Sequence, residues 1–99
     1  MDPERISDFN IADVVISTAG RDAGTLFYVI GAETEHLLLA NGRERKLEKP
    51  KRKKCKHVRK VLRSETRVAE KLRLGDKVLN SELRRDLAYL SRDMQSEVN

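Results

Sequence analysis

The densest chemistry in this chain is electrostatic. The stretch EKPKRKKCKHVRK, residues 48–60, holds eight Lys or Arg among thirteen residues and a single Glu. Cations at that density bind polyanions, because each neutralised phosphate releases condensed counterions. Arg adds bidentate contact where Lys supplies a point charge. The candidate anion-binding groups are Lys49, Lys51, Arg52, Lys53, Lys54 and Lys56, continued by His57, Arg59 and Lys60. Arg43, Arg45 and Lys46 extend the set upstream. With about five phosphate contacts, log K should fall with log salt at a slope of about −3.5 to −4.5.

A second constellation is Gly20-Arg21-Asp22-Ala23-Gly24, three residues after Ser17. Two glycines four apart with Asp between them mark a turn that needs positive φ. Such a loop can bring bare backbone N–H groups to a phosphate, with Arg21 as anchor. Asp22 is expected to hydrogen-bond within the turn, since a carboxylate repels phosphate. Turn chemistry alone also explains the glycines. Cys55, His36 and His57 lack the spacing of a metal site, and no acid, base and nucleophile converge. An enzyme, a cofactor and a metal are therefore not expected. Cys55 reads as a small filler at a sheet edge.

The charge is partitioned. Residues 1–42 carry two basic and seven acidic residues, residues 43–63 twelve and two, and residues 64–99 seven of each. A confined basic block of this kind indicates a contact surface. The 99 residues suffice for one small domain, and with 38% apolar residues and no Trp the core must be built mainly from Val, Leu and Ile. One cysteine, no apolar signal core and no membrane-length apolar run suggest a soluble, cytoplasmic protein with no membrane partner.

These groups need a frame. Residues 12–18, ADVVIST, read as a strand with Ala12, Val14 and Ile16 on one face, Asp13 and Ser17 on the other, and Val15 as the exception. TLFYVIG, 25–31, is apolar on both faces, as a central strand is; Phe27 and Tyr28 read as core rather than stacking platform. HLLLA, 36–40, is a third strand. Asn41-Gly42 then signals a two-residue type I′ hairpin into RERKL, setting Ala40 opposite Arg43 and Leu38 opposite Arg45. HVRKVL, 57–62, reads as a fifth, closing strand. Five short strands with tight turns suggest a small barrel, with the basic run linking its last two strands across the outer face.

The last third changes period. Val68, Ala69 and Leu72 have helical spacing, with Gly75 as a stop. Asn80 reads as an N-cap with Glu82 in the first turn. Leu83, Leu87, Leu90 and Met94 form one stripe of an amphipathic helix, with Arg84, Arg85, Asp86 and Arg92 mostly off it.

The stretch DVVISTAGRDAGTLFYVI, residues 13–30, resembles the KOW motif, a strand, a glycine-bearing loop and a second strand. ISTAGRDAG is similar to small bacterial KOW-domain RNA-binding proteins, which resemble the "fourteen-e" large-subunit ribosomal protein. LLLANGRERKLEKPKRKKCKHV looks like the same group. Where the motif often has a glycine before its first Val pair, this chain has Ala12-Asp13. The resemblance covers roughly residues 10–62 and, more weakly, the tail.

The resemblance implies an SH3-like barrel that binds RNA, usually ribosomal RNA; with Phe27 and Tyr28 read as core, recognition of RNA shape fits better than base reading. The expected organisation is α+β: an N-terminal lead (1–9), a KOW SH3-like barrel of about five strands (10–62, with the basic segment 43–63), and a helical extension of two short helices (64–96). The expected RNA-binding residues are Ser17, Gly20, Arg21, Gly24 and the cations named above, with His57. The expected function is non-catalytic RNA binding in ribosome structure, assembly or translation, by a protein monomeric when free. Ribosomal proteins are further candidate partners. The alternative is a protein-interaction module of the transcription-elongation type that docks on RNA polymerase. A third reading is nonspecific DNA compaction.

Overall fold

The computed structural model of this protein describes residues 5–96. Five antiparallel strands, β1 (Asp13–Ser17), β2 (Leu26–Glu33), β3 (His36–Ala40), β4 (Lys51–Lys54) and β5 (Val58–Arg63), form one sheet. Their order is β4-β3-β2-β1-β5. Two helices follow, α1 (Arg67–Leu74) and α2 (Asn80–Ser96). The first is short, but α2 runs for 17 residues.

β1, β2 and β3 are buried on both faces, which is why TLFYVIG shows no alternation. On one face Ala12, Val14, Tyr28 and Ala40 pack against Ala69, Leu83, Leu87 and Leu90 of the helices. On the other, Val15, Phe27, Val29, Leu37 and Leu39 pack with Val58 and Phe9. Val15 is therefore no exception: it shares the second buried face with Ser17. Val58 of β5 shares this cluster with leucines of β3 although two strands lie between them, so the sheet curls. Register shifts at Val14/Val15 against β5 and at Val29/Gly31 against β3 are bulges of the kind that bend strands. The curl stops short of a barrel: β4 and β5 are the two edges of the sheet, joined by a 3-10 turn over Cys55–His57. Cys55 packs half-buried against the second cluster.

The expected fourth strand is displaced. RERKL is loop, and β4 lies within the basic run, with Leu39 opposite Lys51 and Leu38 opposite Arg52. Asn41-Gly42 is not a type I′ turn, because that turn needs φ > 0 at both residues and only Gly42 has it, at 77°. Instead Asn41 Oδ1 accepts hydrogen bonds from the N–H groups of Arg43 and Arg45, which opens a ten-residue loop, 41–50.

The helices form where the apolar spacing changes. Thr66 caps α1, its hydroxyl accepting from Ala69 N–H, and Gly75 ends it with an N–H bond back to Leu72 C=O. Asn80 is not the cap of α2. It lies in the first turn, its Oδ1 takes the N–H of Leu47 at 2.8 Å, and its amide donates to Glu48. Glu82 accepts the Leu79 N–H instead, as the N3 residue of a capping box does. α2 is fastened to the sheet by a polar cluster. The buried Tyr28 hydroxyl donates to Asp86 and hydrogen-bonds with Ser64 Oγ, and Thr66 Oγ1 donates to the same Asp86 carboxylate at 2.8 Å. Burial, and then the Asp86 carboxylate, push the Tyr28 phenol up to about 12.

Candidate nucleic-acid interface

The basic block has two faces because β4 has two. Residues directly opposite in an antiparallel pair project to the same side. Lys51 and Lys53 pair with Leu39 and Leu37, whose side chains lie in the second core cluster, so both lysines turn inward. Arg52 and Lys54 pair with Leu38 and His36 and turn outward. The expectation that the whole run lies on the outer face therefore holds for only half of β4.

The inward lysines meet the glycine loop between β1 and β2. Lys53 Nζ donates to Asp22 Oδ1 at 2.7 Å and to Ala19 C=O at 2.8 Å. Lys51 Nζ lies 3.9 Å from the other Asp22 oxygen. Ser17, buried beneath the loop, donates to Asp22 Oδ1 at 2.8 Å. Burial pushes the Asp22 carboxyl up, but the hydrogen bonds from Lys53 and Ser17 and the charges of Lys53 and Lys51 outweigh it and hold it below the ordinary value. Asp22 thus bonds within its turn and beyond it, to β4. Only 10% of the Lys53 side chain is exposed, so in this state it is a clamp rather than a free cation.

Other cations are also engaged. Arg52 pairs with Glu33 at 2.7 Å, Arg63 with Glu65 at 2.9 Å, and Lys60 with the buried Asp13 at 3.1 Å while lying over the Phe9 ring. Among the described residues, five of the twelve cations of residues 43–63 are therefore ion-paired: Lys51, Arg52, Lys53, Lys60 and Arg63.

Six others, Arg43, Lys46, Lys49, Lys54, Lys56 and Arg59, are exposed and have no ion pair among the described residues. Arg45 and His57 are half-buried, and Arg21, Gly20 and Gly24 are exposed at the tip of the β1–β2 loop. A Cβ at Gly20 would lie 3.5 Å from Lys53 Nζ, whereas Gly24 has open space around it. Arg21, Asp22 and Thr25 face Asn41, Glu44 and Arg45 across a cleft of about 360 Å3, with Lys51 at its side.

The β3–β4 loop is held open by α2. Arg84 donates to Gly42 C=O at 2.7 Å, and Asn80 holds the Leu47 N–H and Glu48. The loop that carries Arg43, Lys46 and Lys49 is thus positioned by a helix more than thirty residues away in sequence. Sequence reasoning missed Asn80, Arg84 and Asp86 as the residues that set this geometry. Their only signal was polar character near the start of an amphipathic helix. No protein-family model matches the chain, and no curated protein matches it.

Proposed function

We propose that this protein binds structured RNA, ribosomal RNA foremost, without catalysis, and that it works in the cytoplasm in association with the ribosome or its assembly. On this reading the curled sheet is an SH3-like barrel of the KOW type, left open between β4 and β5. The observation that carries the proposal is the division of labour among the cations. Inner lysines fix the β1–β2 loop, while Arg43, Lys46, Lys49, Lys54, Lys56 and Arg59 are presented to solvent on a folded frame. A tail would order no such array. Six phosphate contacts would give a salt slope of about −4.2 to −5.4. Phe27 and Tyr28 are buried and offer no stacking surface, which favours contact with phosphate and ribose over base reading.

The test is crosslinking in cells with sequencing of the attached RNA, alongside sedimentation of the lysate. Recovery of ribosomal RNA and migration with ribosomal subunits are expected. Co-purification with RNA polymerase, with no enrichment of ribosomal RNA, would overturn the proposal in favour of a polymerase-docking module. Equal competition by duplex DNA and folded RNA in vitro would overturn it in favour of a DNA-compacting protein.

A further inference from the structure

We infer that the outward face of α2 is a second RNA contact, made by Arg85 and Arg92 with Tyr89 beside them; this rests on the RNA-binding reading above. The apolar stripe of α2, with Leu83, Leu87 and Leu90, is buried against the sheet. Taking about 100° per residue, Arg85 and Arg92 lie nearly opposite that stripe. Both are exposed, and neither has an ion pair among the described residues. Tyr89 beside them is 57% exposed, a large aromatic surface with no core role.

Two of the three acids of α2 lie off this face, and Asp93 borders it, about 40° round the helix from Tyr89. Asp86 turns inward to Tyr28, and Glu82 is taken by Lys71 at 2.9 Å. Asp93 sits about 100° round the helix from Arg92. The helix also repeats itself after seven residues: Ser81 and Ala88, Leu83 and Leu90, Arg85 and Arg92. The repeat sets the two arginines about 10.5 Å apart along the axis, with the small residues Ser81 and Ala88 beside them. A large ligand can therefore reach both guanidinium groups.

The chemistry selects the occupant. A membrane would need the apolar stripe, which the sheet already covers. Arg and Tyr also suit a protein contact, but such an interface is built round an apolar core, and this face sets only the small Ser81 and Ala88 beside its arginines. A polyanion with ring and ribose surfaces suits two arginines and a tyrosine. The same helix also holds the first surface in place: Arg84 and Asn80 bind the loop that carries Arg43, Lys46 and Lys49.

The test uses the full-length protein and purified large-subunit ribosomal RNA refolded with magnesium, titrated over a range of salt. An Arg85→Gln/Arg92→Gln double variant should lower the magnitude of the salt slope by about 1.4–1.8, which is about 25- to 60-fold weaker binding at about 0.1 M salt if the lines meet at 1 M. Its thermal midpoint should match the wild type, since both side chains are exposed and have no ion pair among the described residues. In the wild type, RNA should shift the ring resonances of Tyr89. A double variant that titrates like the wild type, while Lys54→Gln/Lys56→Gln/Arg59→Gln is weakened, overturns the α2 contact and leaves the RNA reading standing. Unshifted Tyr89 resonances at saturating RNA overturn it as well, whatever the variant does. Wild-type protein that shows no salt-dependent retention of RNA overturns both.

Discussion

The two loops that flank the cleft are held in opposite ways. The β1–β2 loop is fixed by charge: Asp22 receives Lys53, Lys51 and Ser17, and the clamp comes from a neighbouring part of the same sheet. The β3–β4 loop is fixed by packing against α2 and by hydrogen bonds from Arg84 and Asn80, with Gly42 directly beneath the first turn of the helix. Both loops contain glycines with positive φ, and both carry candidate RNA-binding groups. One depends on an ionisable group and the other on a docked helix. They should therefore fail under different substitutions and at different ends of the pH scale.

Gly42→Ala should have the largest effect. A Cβ there would stand 2.3 Å from the backbone oxygen of Asn80, on a residue with φ 77°. Backbone cannot move aside as a flexible side chain can, so overpacking adds to the left-handed strain. The expected loss is about 2–5 kcal/mol in urea unfolding. Gly24→Ala carries only the conformational cost, about 1–2 kcal/mol, because nothing lies within 4 Å of its Cβ position. Equal losses at the two sites would show that α2 does not press on the β3–β4 loop.

Lys53→Met and Lys54→Met separate clamp from contact within one strand. Lys53→Met leaves Asp22 without its main partner and should cost about 1–3 kcal/mol of stability. Lys54→Met should cost less than about 0.5 kcal/mol, yet lower the magnitude of the RNA salt slope by about 0.7–0.9. The clamp also sets an acid dependence. The Asp22 carboxyl is held below its ordinary value of 3.8 in the fold, so its contribution to stability is present above that value. It is lost as pH falls through the folded value. Lys53→Met should flatten the acid limb of a stability-versus-pH profile below about pH 4.

Tyr28→Phe probes the other loop through α2. The variant removes the hydroxyl that joins Asp86 and Ser64, and about 1–2 kcal/mol should be lost. In the wild type the folded phenol titrates near 12 against 10 for the free group. The unfolded chain therefore loses its proton first. Stability is fully present below pH 10 and declines as pH rises through 10 to 12. The Phe variant should lack that decline. An alkaline limb that survives the substitution would mean that another group governs it.

What was legible in the sequence follows the same division. β1, β2, β3 and β5 and both helices were readable because β-branched runs and helical spacing report local preference and burial together. Gly20 to Gly24 was readable because its turn is local. Asn41-Gly42 carried the same kind of signal and misled. The type I′ turn would have needed Asn41 in the left-handed region as well, at about 1–2 kcal/mol. Docking α2 buries Leu83, Leu87 and Leu90, each worth about 1.5–3 kcal/mol. The larger, non-local sum decides the loop, and it moves β4 from RERKL into the basic run. The sequence therefore named candidate cations but not which face each takes. Lys53 and Lys54 are indistinguishable until the pairing with Leu37 and His36 is known.

Ala12 is a further backbone position with positive φ, and its substitution should leave stability nearly unchanged. It takes the backbone that glycine favours, with φ 71° and no exposed surface. Ala12→Gly relieves left-handed strain of about 1–2 kcal/mol. Against that, it removes a buried methyl worth about 0.8 kcal/mol and adds unfolded-state entropy of about 0.4–1 kcal/mol. The terms nearly cancel, so stability in urea should stay within about 1 kcal/mol of the wild type. A loss much larger than that would mean the methyl is needed between sheet and helices. Packing against the helices would then govern the start of β1, as it governs Gly42, rather than the local backbone preference that shapes the Gly20–Gly24 turn.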